Sequence, residues 1–272
     1  MGTFIQWKNF EALLPYANMF KEGLITTVLL ALFTVLIGFV LGLLLSVMRM
    51  SNIRPFLWLA HAFPGVFGFL ERDKSGLLRD SGFLYHLGRF NPLSFLATAY
   101  VEVIRSTPVL VQVMVIYFGV FSQLFSLPSF KIFGFIAFNR FFPGVVALAM
   151  NSGAYLCEII RSGIQSIDGG QTEAARSLGL SQGQNMRFII LPQAIKNILP
   201  AIGNEFVTMV KETAIIQYLG ISDLMYNNGI VVTATYNPLP CYYISAIIYL
   251  ALNIILGRGM NIFERRLKKS ER

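Results

Sequence analysis

Residues 168–192 read DGGQTEAARSLGLSQGQNMRFIILP, a polar stretch set between apolar segments suited to a bilayer. Locally the spacing predicts two short helices with a break between them. Asp168 can cap a first turn with Gln171 three residues on, and Ser181 with Gln184 repeats that capping-box spacing. Gly179 suits the left-handed position that ends the first helix, and Pro192 stops the second or opens the next. Ala174, Ala175 and Leu178 are expected to share one narrow apolar face flanked by Glu173 and Arg176, a ridge small enough to seat in a groove. On spacing alone, a plain polar loop between two membrane helices fits equally well.

Composition sets the surroundings of that stretch. The 272 residues are 55% hydrophobic and only 13% charged, with mean hydropathy +0.61. Typical soluble domains carry about 25% charged residues. The first apolar run, about 24–47, is uncharged and holds Gly38 and Gly42 at the spacing that lets a neighbouring helix approach. Further spans are expected at about 102–127, 141–160, 194–220 and 241–257, an all-α membrane domain over 24–265 with five transmembrane helices. Residues 1–23, with Trp7, Phe10, Tyr16 and Phe20 among Lys8, Glu11, Lys21 and Glu22, suit an amphipathic helix at a membrane surface. Residues 266–272 form a basic tail.

Orientation follows from the cations. Residues 49–94 hold six Lys or Arg, 161–196 four and the tail from Arg258 six, against two, two and none in the alternate segments. Sixteen against four puts the N-terminus outside, the C-terminus in the cytoplasm and residues 168–192 within reach of a soluble partner. The net charge of +8 is thereby explained by topology, and no nucleic-acid partner is expected. Cys157 and Cys241 fall near opposite faces, so a disulfide is not expected, and His61 and His86 stand isolated, with no metal-ligand cluster in the sequence.

Two further features bear on chemistry. No G-x4-G-K-[ST] occurs, so the chain lacks the usual nucleotide cradle, and no nucleophile, base and orienter set suggests an enzyme. Lys211-Glu212-Thr213 lies deep in the fourth span, with Glu205 six residues before Lys211. Charge at that depth costs a few kcal/mol and belongs in a bundle interior or aqueous cavity. Such charges suit either a pathway for a zwitterionic solute or ion pairs between two subunits.

Glu173-Ala174-Ala175, Gly179, Ile189, Leu191 and Pro192 fill every position of E-A-A-x3-G-x9-I-x-L-P. This resembles the EAA motif of ATP-binding-cassette importer permeases, and Ala154-Tyr155, Glu158, Arg161-Ser162-Gly163-Ile164 and Val210-Lys211-Glu212-Thr213 resemble the polar amino-acid branch. Arg105-Ser106-Thr107-Pro108 is similar to that family's entry to the second span, with Ser106 where Gly is usual. Glu102 with Arg105, and Glu158 with Arg161, are three residues apart and are expected as ion pairs at the cytoplasmic mouth. Residues 55–92 look like an insertion relative to the family; its apolar part, Phe56 to Leu70, is too short to span and is broken by Pro64 and Gly65, which suits an interfacial hairpin on the cytoplasmic side. The resemblance implies a type I importer permease working by alternating access. A second permease subunit, identical or related, would complete the pathway; two ATPase subunits would hold ATP and magnesium and bind Glu173 to Gly179 with Leu191 and Pro192; an extracytoplasmic protein would deliver an amino acid. This chain would bind no cofactor itself. The alternatives are an importer of another small solute and an ion-coupled secondary transporter, for which inverted repeats would be expected and are not seen.

Overall fold

α1 runs from Ala17 to Met50 without a break, in a computed structural model that describes residues 10–51 and 90–269. Most of the expected insertion, with His61 and His86, lies outside the described residues. The helix begins well before residue 24, so residues 17–23 continue the same helix and do not form a separate one. Nothing in that stretch breaks a helix, and Phe20 and Gly23 are buried against the chain near Leu224.

α4, Phe138–Gln165, is the principal partner of α1. Gly38 and Gly42 make this possible: a Cβ on Gly42 would lie 2.8 Å from Leu156 Cβ and 2.9 Å from Cys157 N, and one on Gly38 would lie 3.2 Å from Ser152 Cβ. The glycine spacing is therefore a packing device, which lets two backbones touch.

The expected 102–127 span is divided. α2, Pro92–Ser106, and α3, Val109–Leu124, meet at 111°. Pro108 has no N–H and biases Thr107 to extended backbone, here φ −113° and ψ 147°, so α2 must stop. Buried Gln112 satisfies the carbonyls left over, with Nε2 donating to Ile104 O at 2.6 Å and Thr107 O at 2.9 Å. Asn151 of α4 donates in turn to Gln112 Oε1 at 2.8 Å, which locks the corner to the bundle. At the other end of α2, Asn91 caps the helix through Ser94 N and donates to Ser51 O at 2.7 Å, so the end of α1 and the start of α2 are tied together.

A short hairpin of two-residue strands, β1 Lys131–Ile132 with β2 Ile136–Ala137, closes over a three-residue loop in which Phe133 and Gly134 both have positive φ. It is a small departure from an all-helical chain. After α4 come α5, Gly169–Ser177; α6, Gln182–Asn185; and α7, Leu191–Glu212, which tightens into a 3-10 stretch, Thr213–Leu219. α7 packs on α4 and α1, and α9, Pro238–Lys269, lies along α7.

The segment between α7 and α9, turn-rich by composition, contains α8, Leu224–Thr235, capped by Asp223 through Tyr226 N at 2.8 Å. Tertiary packing overrides the poor propensity of Asn227-Asn228-Gly229. Asn227 donates to Met19 O at 2.7 Å and Ser245 donates to Asn228 Oδ1 at 3.0 Å, so these amides are tertiary ties. Among the described residues, α1, α4 and Pro238–Leu267 are individually long and apolar enough to cross a membrane, and α2 with α3 qualifies as a bent pair.

Candidate functional site

The stretch 168–192 folds as two capped helices. Asp168 caps α5 through Gly170 N at 2.6 Å, one residue short of the expected capping box with Gln171. Ser181 and Gln184 do form the reciprocal box. Between them Gly179 sits at φ +78°, and Leu180 N bonds Ala175 O at 3.0 Å while Gly179 N bonds Arg176 O at 2.9 Å. That pair of bonds closes the last carbonyls of α5 over a left-handed residue. A Cβ at Gly179 would meet nothing within 4 Å, so the backbone angle, not space, calls for glycine there.

The expected single ridge is split between two faces. Ala175 is 1% exposed and points into the protein, whereas Ala174, Glu173 and Leu178, the last 81% exposed, face outward. Successive helical residues turn by about 100°, so Ala174 pairs with Leu178 while Ala175 falls away to the core side. Thr172 and Arg176 occupy a third position, over a small cavity of 180 Å³ shared with Gln182, Asn185 and Met186. The chain then passes through Met186–Ile190, wound as a π-helix, before Leu191 and Pro192 open α7. Leu191 is half-buried and Pro192 exposed.

The charged residues near this end gather on one carboxylate. Glu158 accepts from Arg161 Nη2 at 2.8 Å and from Arg49 Nη1, and Arg105 Nη1 lies 3.5 Å away. Arg105 also stacks over the Tyr155 ring, 5.4 Å from its centre. Three helices, α1, α2 and α4, thus meet at Glu158. The Glu158 and Arg161 pair is present as spaced. Glu102 is exposed and forms no ion pair with Arg105 among the described residues, because Arg105 turns across to α4. Arg49 was not singled out by the sequence; the signal available was a lone cation closing an apolar run.

Farther along α7, Glu205 accepts from Ser152 Oγ at 2.9 Å and shares a helix face with Glu212, seven residues on. Thr213 is buried and donates to Val210 O at 2.9 Å, which marks the change from α-helix to 3-10 winding. Lys211 is exposed, has no ion pair among the described residues, and stands in the last turn of α7, where a cation is favoured by the helix dipole. The structure therefore places Glu205 and Glu212 together and Lys211 on the neighbouring open stripe with Asn204.

Comparison with known proteins gives relatives over nearly the whole length. The arginine transport system permease protein of Bacillus subtilis is 36% identical, covering 97% of this chain and 99% of its own. A probable glutamine ABC transporter permease of the same organism is 34% identical over 96% of this chain and 99% of its own. A chain from the crystal structure of an amino acid ABC transporter with histidines superposes with TM-score 0.75 at 37% identity, covering 97% of this chain and all of that one. With residues 81–269 matching its family description, the chain belongs to the binding-protein-dependent transport system inner membrane components.

Proposed function

We propose that this chain is the permease subunit of an ATP-driven importer of polar amino acids, with five spans, the N-terminus outside and residues 168–192 in the cytoplasm. The relatives named for arginine and glutamine support the solute class. The observation that carries the coupling role is the outward pair Ala174 and Leu178. Leu178 is 81% exposed beside a helix whose two ends are both capped, and that helix follows α4 after a short turn. An exposed leucine on a rigid, pre-ordered element is suited to filling a partner's pocket at low entropic cost. Two such permeases, identical or related, pair about a two-fold axis, and each α5 seats in one ATPase subunit, which holds ATP and magnesium. Closure of the ATPases draws the two α5 helices together and turns the cavity outward to receive solute from an extracytoplasmic binding protein.

Between the paired permeases, the open stripe of α7 faces the cavity. Lys211 offers a cation to the solute carboxylate, and Glu205 with Glu212 offers anions to its ammonium group, while Thr213 fixes the backbone behind them. The Arg49, Arg105, Glu158 and Arg161 group closes the cytoplasmic mouth.

One reconstituted preparation with ATPase and loaded binding protein tests both parts. Leu178→Asp leaves the permease folded and abolishes ATPase capture and stimulated hydrolysis; full stimulation would overturn the coupling role. Lys211→Met keeps assembly and stimulated hydrolysis, with uptake reduced at least about tenfold, the loss of one charge-assisted contact. A complex that falls apart instead identifies Lys211 as a structural partner between subunits, and unchanged uptake in an intact complex removes it from the pathway.

A further inference from the structure

A long groove runs up the outside of the bundle from the same end. It is lined almost entirely by apolar side chains, among them Phe39, Leu43 and Val47 of α1, Ile160 of α4, and Ile195 and Ile202 of α7, and encloses about 740 Å³. That volume falls within the range of ligand sites, but its polar side chains, Ser46 and Ser51, already donate to Met50 Sδ and Met48 O, which leaves little to orient a polar solute. At its lower end the groove meets the 180 Å³ cavity under α5, since Ile164 and Met186 line both. There the lining changes character to Thr172, Arg176, Gln182 and Asn185.

Two groups in this lower cavity lack partners. The guanidinium of Arg176, an exposed residue, makes no ion pair or hydrogen bond among the described residues. Asn185 is 5% exposed; its Nδ2 donates to Thr172 Oγ1 at 3.3 Å, but its Oδ1 is buried with no partner. A buried acceptor left empty costs on the order of 1–3 kcal/mol, so a site with one calls for a donor. A cation and an empty acceptor, a few residues apart at the foot of an apolar groove, call for a ligand with an anion, a donor and a hydrocarbon chain.

We propose that this composite site holds one phospholipid with an ammonium-bearing headgroup, of the phosphatidylethanolamine class. One acyl chain lies in the groove, the phosphate accepts from Arg176 and Gln182, and the ammonium donates to Asn185 Oδ1. The placement is consistent along the bilayer normal, because the groove residues belong to the apolar spans and the polar cavity to the stretch at the membrane boundary. It is also compatible with coupling. Thr172 and Arg176 share one face of α5, while Ala174 and Leu178 occupy the opposite one, so lipid and ATPase would grip the same helix from two sides. The lipid would then brace α5 against α1 and α7.

The test is native mass spectrometry of the full-length chain in detergent, titrated with dipalmitoyl phosphatidylethanolamine, dipalmitoyl phosphatidylglycerol or dipalmitoylglycerol. The ethanolamine lipid binds at least about tenfold more tightly than the headgroup-free diacylglycerol, the worth of one charge-assisted contact. Arg176→Gln weakens both phospholipids and leaves diacylglycerol unchanged, Asn185→Leu removes the preference for ethanolamine over glycerol, and Val47→Trp, which fills the groove, weakens all three. Should Asn185→Leu fail to fold, Arg176→Gln alone carries the headgroup test. Equal affinity of the wild-type chain for the three lipids would overturn the proposal, as would unchanged binding in Val47→Trp, or loss of the lipid when the ATPase partner is added, which would show that protein fills the cavity.

Discussion

At the end that carries residues 168–192, Glu158 draws Arg49, Arg105 and Arg161 from three helices. At the far end of the same bundle, Asp223 is fully buried beside Thr27 and Leu224 and has no ion pair among the described residues. One region is charged and partly open, with Glu158 at 18% side-chain exposure; the other is closed and held by neutral hydrogen bonds. The difference follows from what each carboxylate can reach. Guanidiniums can snorkel from helix ends toward water while still converging, so a charge there is affordable. Asp223 is hydrogen-bonded by backbone N–H groups, and its second oxygen, Oδ2, has no hydrogen-bond partner. Burial accordingly pushes its carboxyl up to about 7.

The largest expected effect lies at the charged end. Glu158→Gln keeps the shape and removes the charge, leaving three guanidiniums turned toward one another. Breaking a buried pair this way costs roughly 3–5 kcal/mol, and the partial exposure here brings the expected loss to about 2–4 kcal/mol. Urea denaturation of the purified chain in detergent reads it out. A loss below about 0.5 kcal/mol would mean that the hub is held by packing alone and that the two ends do not differ as described.

The buried end is probed by pH. The folded Asp223 carboxyl titrates near 7 against about 4 when unfolded, so its protonated form is the one that the fold favours. Its contribution to stability is full below about pH 4 and is lost as pH rises through 7. Asparagine caps a helix as well as aspartate does and carries no charge. Asp223→Asn should therefore match the parent at pH 4 and be more stable by about 1–3 kcal/mol at pH 7.5. Parallel pH profiles for the two proteins would refute the charge penalty.

These two ends also differ in how legible they were. Gly38 and Gly42, Gly179, and the Ser181 with Gln184 box could be read because each is a local pattern with a local cause. The Glu158 and Arg161 pair is of that kind too. Arg49 could not be assigned to Glu158, since the two are 109 residues apart and only the close packing of α1 on α4 brings them together. The corner at Thr107-Pro108 reads in the sequence as the start of a span, because an uncharged run continues through it; Pro108 breaks the helix, and what holds the corner is Gln112, whose amide looks like any other polar side chain until Asn151 is seen against it. α8 was hidden by its asparagines, which signal a turn unless a fold exists to receive them. Ala175 went astray by a single helical step.

The smallest effect isolates geometry from charge within the hub. Arg105 lies 3.5 Å from the Glu158 carboxylate, and its side chain is 44% exposed, against 17% for Arg49. An exposed pair of that length contributes about 0–1 kcal/mol, because water competes for both groups. Stacking on Tyr155 adds at most about 0.5–1 kcal/mol at such a site. Arg105→Gln should thus cost under about 1 kcal/mol, and it also relieves like-charge crowding by Arg49 and Arg161, which offsets part of that loss. Raising salt should narrow the gap between this variant and the parent, since a screened surface contact has little left to lose. If Arg105→Gln instead costs as much as Glu158→Gln, then all three guanidiniums act as one buried network, and the charged end is as closed to solvent as the end around Asp223.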